Sequence, residues 1–414
     1  MNRSFLWPWI VRSSRVYRRT LGRRVRVVSV VGSVGKTTTV RAVAAVLDVK
    51  VGRPALLNMN SPVGVGRALL SARPWQRHVV IENAIVAPGQ MREQASMVRP
   101  DVVVVTAIAS DHWRSLSTLE LTRDEKADMV RALKPNGVAI LNADDPNVRW
   151  MATQTRARVV FIGESDDAEV RASGIAIDWP HGMRFTAHIA GEAREVRVRL
   201  LGTHMILPAL AAIATAYVEG LSVDAAIAAL ATLPPTPGRM QLMPLSNGAF
   251  VIRDDFKASR ESVVTALTTL AAVPGQRRVV VLGMLTEPRG ADDYRELGRR
   301  VGQIADRAIF VGSSKDMRTY RSAAVGAGLA PDTITRAGDW HEAAQLLMHE
   351  LGPNDVVLTK GRWQQALARV GLSLSGVNVQ CRADPCPLKR MMCDVCPHLE
   401  DPNFRRSPQA QRQS

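Results

Sequence analysis

Cysteine is missing from the first 380 residues of this 414-residue chain, and all four cysteines crowd into the segment that follows. That distribution excludes a disulfide framework spread through the fold. It points to a reduced, cytoplasmic protein with one local thiol cluster. Aromatic residues are scarce, at 5%. No basic groove interleaved with stacking side chains stands out, and nucleic acid is not expected as a partner. No apolar run reaches the ~18–20 residues of a membrane-spanning helix. Acidic residues are in deficit, 38 against 54 Lys and Arg, for a formal net charge of +16. Phosphorylated metabolites and anionic surfaces are the partners such an excess attracts.

What is present reads as a globular protein, 46% hydrophobic and 22% charged, long enough for two or three domains. From residue 25 onward, β-branched runs alternate with helical segments, the pattern of a parallel α/β architecture. Strands are expected at residues 27–31, 77–84, 100–108 and 137–145. Helices are expected at residues 38–47, 88–98 and 118–133. Residues 159–201 carry short alternating pieces and read as a small antiparallel appendage to a first domain spanning 28–234. The break "PPTPGR" at residues 234–239 reads as a boundary and hinge. Beyond it, residues 238–376 suggest a smaller Rossmann-like domain, and residues 377–414 a Cys-rich, partly disordered tail.

The opening arm, residues 1–27, sets Trp7 and Trp9 among arginines. One reading is a peripheral anchor at the inner face of a membrane. The more ordinary reading is a helix packed on the first domain with a solvated basic face.

The stretch "VVGSVGKTTT", residues 30–39, carries chemistry. Gly32 and Gly35 allow backbone N–H groups to converge on phosphate oxygens at a helix N-terminus. Lys36 would reach the β/γ-phosphates, and Thr37 would hold Mg²⁺. The general phosphate-loop pattern has a glycine where this chain has Val30.

That departure resembles T-G-T-x-G-K-T-[ST], the loop of the Mur ligases and their relatives, which are ATP-dependent amide-bond synthetases. The resemblance implies a central P-loop ATPase domain followed by a smaller Rossmann-like domain. Ser33 and Thr38 fall within the loop that would hold ATP. "LLNMNSPVGVGRALL" at residues 56–70 is similar to a segment of the branch that adds D-alanyl-D-alanine to a muramyl tripeptide, with Arg67 in place of a proline. "VIENAIVAPGQM" resembles that branch's strand-end motif and puts Glu82 at the position of a magnesium ligand. "VVVVTAIASDHWRSL" resembles T-N-I-x-x-D-H, whose histidine is a second magnesium ligand, here His112, with Ala107 replacing the asparagine. Lys126, in "LELTRDEKADMV", matches a lysine that CO₂ converts to a carbamate bridging to the second metal. "GVAILNADDP" matches N-x-D-D-P.

"LLGTHMILPALAAIATAY" keeps Gly202 and His204 of the adenine-side motif but has Met205 and Pro208 where the family has asparagines. "TPGRMQLM" supplies Arg239, the phosphate-facing arginine by resemblance. "VIRDDFKASRESV" supplies Asp255 for the ribose and Lys257 for the reacting phosphoryl group. "VVVLGMLTEPRG" and "VVLTKGRW" resemble the acceptor-side loop and the late K-G-S motif, with Arg362 in place of serine.

The resemblance implies an ATP- and Mg²⁺-dependent carboxylate–amine ligase working through an acyl phosphate, on small-molecule carboxylate and amino-acid or amine substrates. About 27 residues precede the first strand, too few for the UDP-sugar domain of muramyl-peptide ligases, so an ordinary UDP-MurNAc-peptide is not the expected substrate. Two other classes remain open: a P-loop NTPase or phosphotransferase, and a non-catalytic nucleotide-binding partner subunit. Cys381, Cys386, Cys393 and Cys396, spaced C-x₄-C-x₆-C-x₂-C, read as a four-thiolate zinc site. An iron–sulfur cluster is the alternative, and such a tail could dock a protein partner.

Overall fold

The computed structural model describes residues 3–49, 61–109, 115–312, 314–388 and 391–404. The chain divides into two units, Met1–Arg199 with Thr203–Pro234, and Leu200–Gly202 with Pro235–Ser414. His112, the side chain of Trp7, the first part of the "LLNMNS" motif and the end of the tail lie outside the described residues.

Unit one opens with α1 (Arg3–Arg19), β1 (Arg26–Val31), α2 (Lys36–Val46) and α3 (Pro62–Ser71). Next come β2 (His78–Glu82), α4 (Gln90–Val98), β3 (Val102–Val105), α5 (Leu119–Arg131), β4 (Val138–Asn142) and α6 (Pro146–Trp150). Strands β5 (Arg158–Gly163), β6 (Val170–Asp178), β7 (Gly182–Ile189) and β8 (Glu192–Val198) precede α7 (Ile206–Val218) and α8 (Val223–Thr232). The eight strands form one sheet in the order β2-β1-β3-β4-β5-β6-β7-β8. β1 and β3 are almost wholly buried valine, as in parallel strands covered on both faces.

Residues 159–201 are not a separate appendage. β5 pairs in parallel with β4, and β6 continues from β5 before the antiparallel β6–β7–β8 meander. Alternating burial along β7 reflects one solvated sheet face. Periodicity reveals that face and the antiparallel pieces but not which strand edge a segment joins, so the sequence suggested an appendage where the sheet is continuous.

The N-terminal arm is a helix docked on the domain. Val11, Ser14 and Arg18 are buried. Ser14 Oγ donates to the Gly66 carbonyl at 3.2 Å, and the Tyr17 hydroxyl donates to the Ala72 carbonyl. Arg18 donates to the carbonyls of Val98, Gly22, Val25 and Arg99 and to Asp101 at 2.7–3.0 Å. Glu219, just after α7, accepts from Arg26 Nε and Nη2 at 2.6 Å and faces His78 Nε2 at 2.8 Å. Burial works against its charge, but those two partners outweigh it and hold the carboxyl at about 2.

Unit two contains β9 (Gln241–Pro244), β10 (Phe250–Asp254), α9 (Arg260–Ala272), β11 (Arg278–Leu282) and α10 (Ala291–Ile304). It continues with β12 (Arg307–Val311), α11 (Ser314–Gly326), β13 (Ile334–Ala337), α12 (Trp340–Met348), β14 (Val356–Lys360) and α13 (Ala368–Leu374). The sheet order is β13-β12-β11-β14-β10-β9, parallel except for β9. Val251, Val279, Val281, Ile309, Val357 and Trp340 form its core.

Candidate nucleotide and ligation site

β1 empties into the loop at residues 32–35, and α2 begins at Lys36. Gly32 has φ +145°, and a Cβ there would sit 2.0 Å from Thr106 Oγ1. Gly35 has φ +81° and caps α2 without a side-chain hydrogen bond. Both positions therefore require glycine, and the first-turn N–H groups of α2 remain for an anion rather than a capping side chain. The cradle fits a polyphosphate. Lys36 arches over it, Nζ donating to the carbonyls of Gly32 at 2.8 Å and Ser33 at 3.1 Å.

Ser33 is the joint of the loop. Its hydroxyl donates to the Ala109 carbonyl at 3.0 Å and accepts from Ala109 N at 2.9 Å and Lys126 Nζ at 2.6 Å. That satisfies a hydroxyl's one donor and both lone pairs. Lys126, on α5 and 2% exposed, is thereby fixed at the phosphate loop. Thr38, in the first turn of α2, is buried. Thr37 Oγ1 donates to Glu82 Oε2 at 3.0 Å, placing a hydroxyl and a carboxylate together, a donor set suited to Mg²⁺.

The sheet order explains the convergence. β1 has β2 on one side and β3 on the other, so successive connections leave β1 in opposite directions. The crevice at the carboxyl ends of such strands is where α/β sheets bind ligands. Glu82 ends β2, and the loop after β3 is pinned by Asp145, whose Oδ2 accepts Ile108 N at 2.7 Å. Asp144 accepts the amides of Glu164 and Ser165. The two aspartates of "DDP" therefore order loops.

In unit two, the ends of β10, β11 and β14 gather the remaining candidates. Lys360 Nζ donates to Asp254 Oδ2 at 2.5 Å and to the Lys257 carbonyl at 2.6 Å. Burial pushes the Lys360 ammonium down from the usual lysine value, while Asp254 opposes the shift. Arg239 lies with its guanidinium 4.4 Å from the Phe256 ring centroid. Asp255 is buried against Arg253, whose Nε donates to Oδ2 at 2.9 Å. Gln365 accepts Met284 N at 2.6 Å and donates to the Val311 carbonyl at 3.0 Å, fixing the "LGM" loop. Lys360, Arg253 and Gln365 were not singled out from sequence. "DD" and "KG" were the only signals for the first.

The cysteines gather around buried Arg369. Its Nη1 donates to the carbonyls of Cys381 and Ala383 at 3.1 and 2.9 Å. The positive charge of the guanidinium favours the Cys386 and Cys393 thiolates. Burial nonetheless pushes Cys393 up to about 12 and raises Cys386 and Cys396. Among the described residues, no group of three or more His, Cys, Asp or Glu side chains is arranged to hold a metal ion. The zinc and iron–sulfur expectations therefore find no support in the structure.

Residues 30–216 match the Mur ligase middle domain, and residues 238–363 match the Mur ligase glutamate ligase domain. A UDP-N-acetylmuramoyl-tripeptide--D-alanyl-D-alanine ligase from Mycobacterium tuberculosis is 31% identical over 373 residues, covering 84% of this chain and 72% of that protein. The chain belongs to the Mur ligase family. The Escherichia coli ligase of the same name is 31% identical over 296 residues, 69% of this chain and 64% of that protein. MurF from Acinetobacter baumannii shares the fold with a TM-score of 0.75 at 22% identity, covering 89% of this chain and 80% of that one. The Thermotoga maritima MurF ligase, solved with ADP, gives 0.73 at 22% identity over 89% of this chain and 83% of that one.

Membership places the chain among ATP-dependent, amide-bond-forming ligases. Within this Mur ligase, His204 sits exposed in the helical turn Thr203–Met205 before α7. Met205 and Pro208, at the positions of the family's asparagines, are buried in the packing of that region.

Proposed function

We propose that this Mur ligase activates a peptide-bearing carboxylate with ATP and joins it to an amino-acid or dipeptide amine. The observation that carries the reading is the cradle of Gly32 and Gly35 with Lys36, tied through Ser33 to Lys126 and flanked by the Thr37–Glu82 pair. A carboxylate oxygen attacks the γ-phosphorus, the bond to the β-phosphate oxygen breaks, and ADP leaves an acyl phosphate. The amine then attacks the acyl carbon, phosphate departs and the ammonium proton is lost.

Lys36 and the α2 amides neutralise charge on the transferring group. Mg²⁺ held by Thr37 and Glu82, with His112 and a carbamylated Lys126, would supply further charge neutralisation. Arg239 and Lys257 are the phosphate-facing groups of unit two, Asp255 the ribose partner, and His204 a nucleotide contact. The M. tuberculosis relative's name supports a peptide acid and a dipeptide amine.

Acceptor-dependent ADP release with a hydroxylamine-trapped acyl phosphate tests the reading. ADP without a trapped hydroxamate would instead identify an NTPase or phosphotransferase. A second reading, a nucleotide-binding partner subunit, draws on buried Met205 and Pro208 at the adenine-side positions. Nucleotide binding without turnover across carboxylates and amines would establish it.

A further inference from the structure

One face of α1 is committed to the domain through Val11, Ser14 and Arg18. The opposite face is unlike an ordinary solvated helix. Trp9 is 60% exposed, Val16 55% and, just past the helix, Leu21 67%. Arg12, Arg19, Arg23 and Arg24 are exposed beside them. Positions 9, 12, 16 and 19 recur at three- and four-residue steps along α1, so aromatic, aliphatic and basic groups alternate along one side. Among the described residues, none of Arg12, Arg19, Arg23 or Arg24 is paired with a carboxylate, whereas Arg18 on the inner face is locked to Asp101.

Two further features lie nearby. Arg12, Arg15 and Arg19 line a groove of about 530 Å³ with Val11 and Val16, and Glu93 is its one acidic side chain. Trp75 is 77% exposed and lies under the Arg73 guanidinium, 5.7 Å from its ring centroid. It follows Ala72, whose carbonyl accepts the Tyr17 hydroxyl, so it stands near the C-terminal end of α1.

We propose that this face docks the protein on an anionic lipid surface. Indole rings settle at the headgroup boundary, where an apolar body and a polar N–H are both accommodated. Guanidinium forks match phosphate oxygens in a bidentate manner. Exposed tryptophans and aliphatics interleaved with unpaired arginines meet both requirements, whereas arginines alone would serve any polyanion. No described helix is long and apolar enough to cross a membrane, so the helix lies on the surface. The face is independent of the ligation chemistry, and its test does not read activity.

The test is co-sedimentation of the full chain with vesicles of equal parts phosphatidylcholine and phosphatidylglycerol, against pure phosphatidylcholine. The protein should pellet with the anionic vesicles only and be released by salt. Arg12→Gln, Arg19→Gln and Arg23→Gln together should weaken partitioning by about a hundredfold, taking about fivefold per lost charge. Trp9→Ala should weaken it several-fold, with both variants keeping the parent melting temperature. Failure to pellet, equal binding to neutral vesicles, or full binding by the triple variant would overturn the proposal. Retention by an RNA or DNA duplex without retention by vesicles would overturn it too, assigning the charge to nucleic acid.

Discussion

Arg253 joins two carboxylates that lie far apart in the chain. Its Nε faces Asp255 at 2.9 Å, while Nη1 and Nη2 take both oxygens of Asp394 at 2.6 and 3.0 Å. The guanidinium is 1% exposed. Asp394 sits between Cys393 and Cys396, so the cysteine-bearing tail is fastened to the end of β10. Losing Asp394 leaves the buried guanidinium with Asp255 alone and removes hydrogen bonds to a charged group, at a cost of about 2 kcal/mol. Asp394→Ala should lower the melting midpoint of unit two by several degrees, measured calorimetrically. An unchanged midpoint would show that the tail contributes nothing to that unit.

Lys36 and Lys126 should separate by what they contact. Lys36→Ala should weaken ATP binding by at least about tenfold, the worth of a lost charge-assisted hydrogen bond, and leave adenosine binding intact. Lys126→Ala should instead remove ligation while nucleotide binding survives. Equilibrium titration beside an ADP-release assay reads both. Wild-type turnover in either variant would remove that lysine from the mechanism.

Thr37 and Glu82 meet at 3.0 Å, so their loss should appear as a metal requirement. Glu82→Gln should raise the Mg²⁺ concentration for half-maximal turnover by about 10–100-fold. An unchanged Mg²⁺ dependence would place the cation elsewhere.

Glu219 makes a pH-dependent contribution with a definite sign. Its folded carboxyl lies at about 2 against an ordinary value of 4.5. The stabilisation is therefore fully present above about 4.5 and disappears as pH falls towards 2. Glu219→Gln should be less stable at neutral pH, and the difference from the parent should shrink across that acid window. Denaturant titrations at several pH values would show it, and a difference constant down to acid pH would contradict the Arg26–Glu219–His78 assignment.

Cys393, pushed up to about 12 by burial, is overwhelmingly a thiol at neutral pH. Alkylation follows the thiolate fraction, so the native chain should label at Cys393 at least about a hundredfold more slowly than after unfolding. Peptide mass analysis over a time course measures this. Rapid native labelling would mean the thiol is not enclosed as the structure places it.

The phosphate loop was legible because its requirements are local. A strand, two glycines in backbone conformations closed to other residues and a helix N-terminus occupy one short stretch, and each leaves a residue-type mark. Glu82 at the end of β2 was readable through the resemblance of "VIENAIVAPGQM" to a family motif, since pattern alone carried that strand on to residue 84. The antiparallel strands were visible as alternation, but their attachment to β5 was not. Edge pairing is a choice among backbones, and side-chain pattern does not encode it.

Sequence alone determined the α/β alternation, the glycine positions and the charge excess, all of which depend on neighbours within a few residues. Tertiary structure decided the partners: Lys126 on Ser33 across 93 residues, and Asp394 on Arg253 across 141. It also decided which arginines of α1 are buried against carbonyls and which face outward. Such pairings follow from how whole elements pack, and a buried charge takes whichever opposite charge the packing brings within reach.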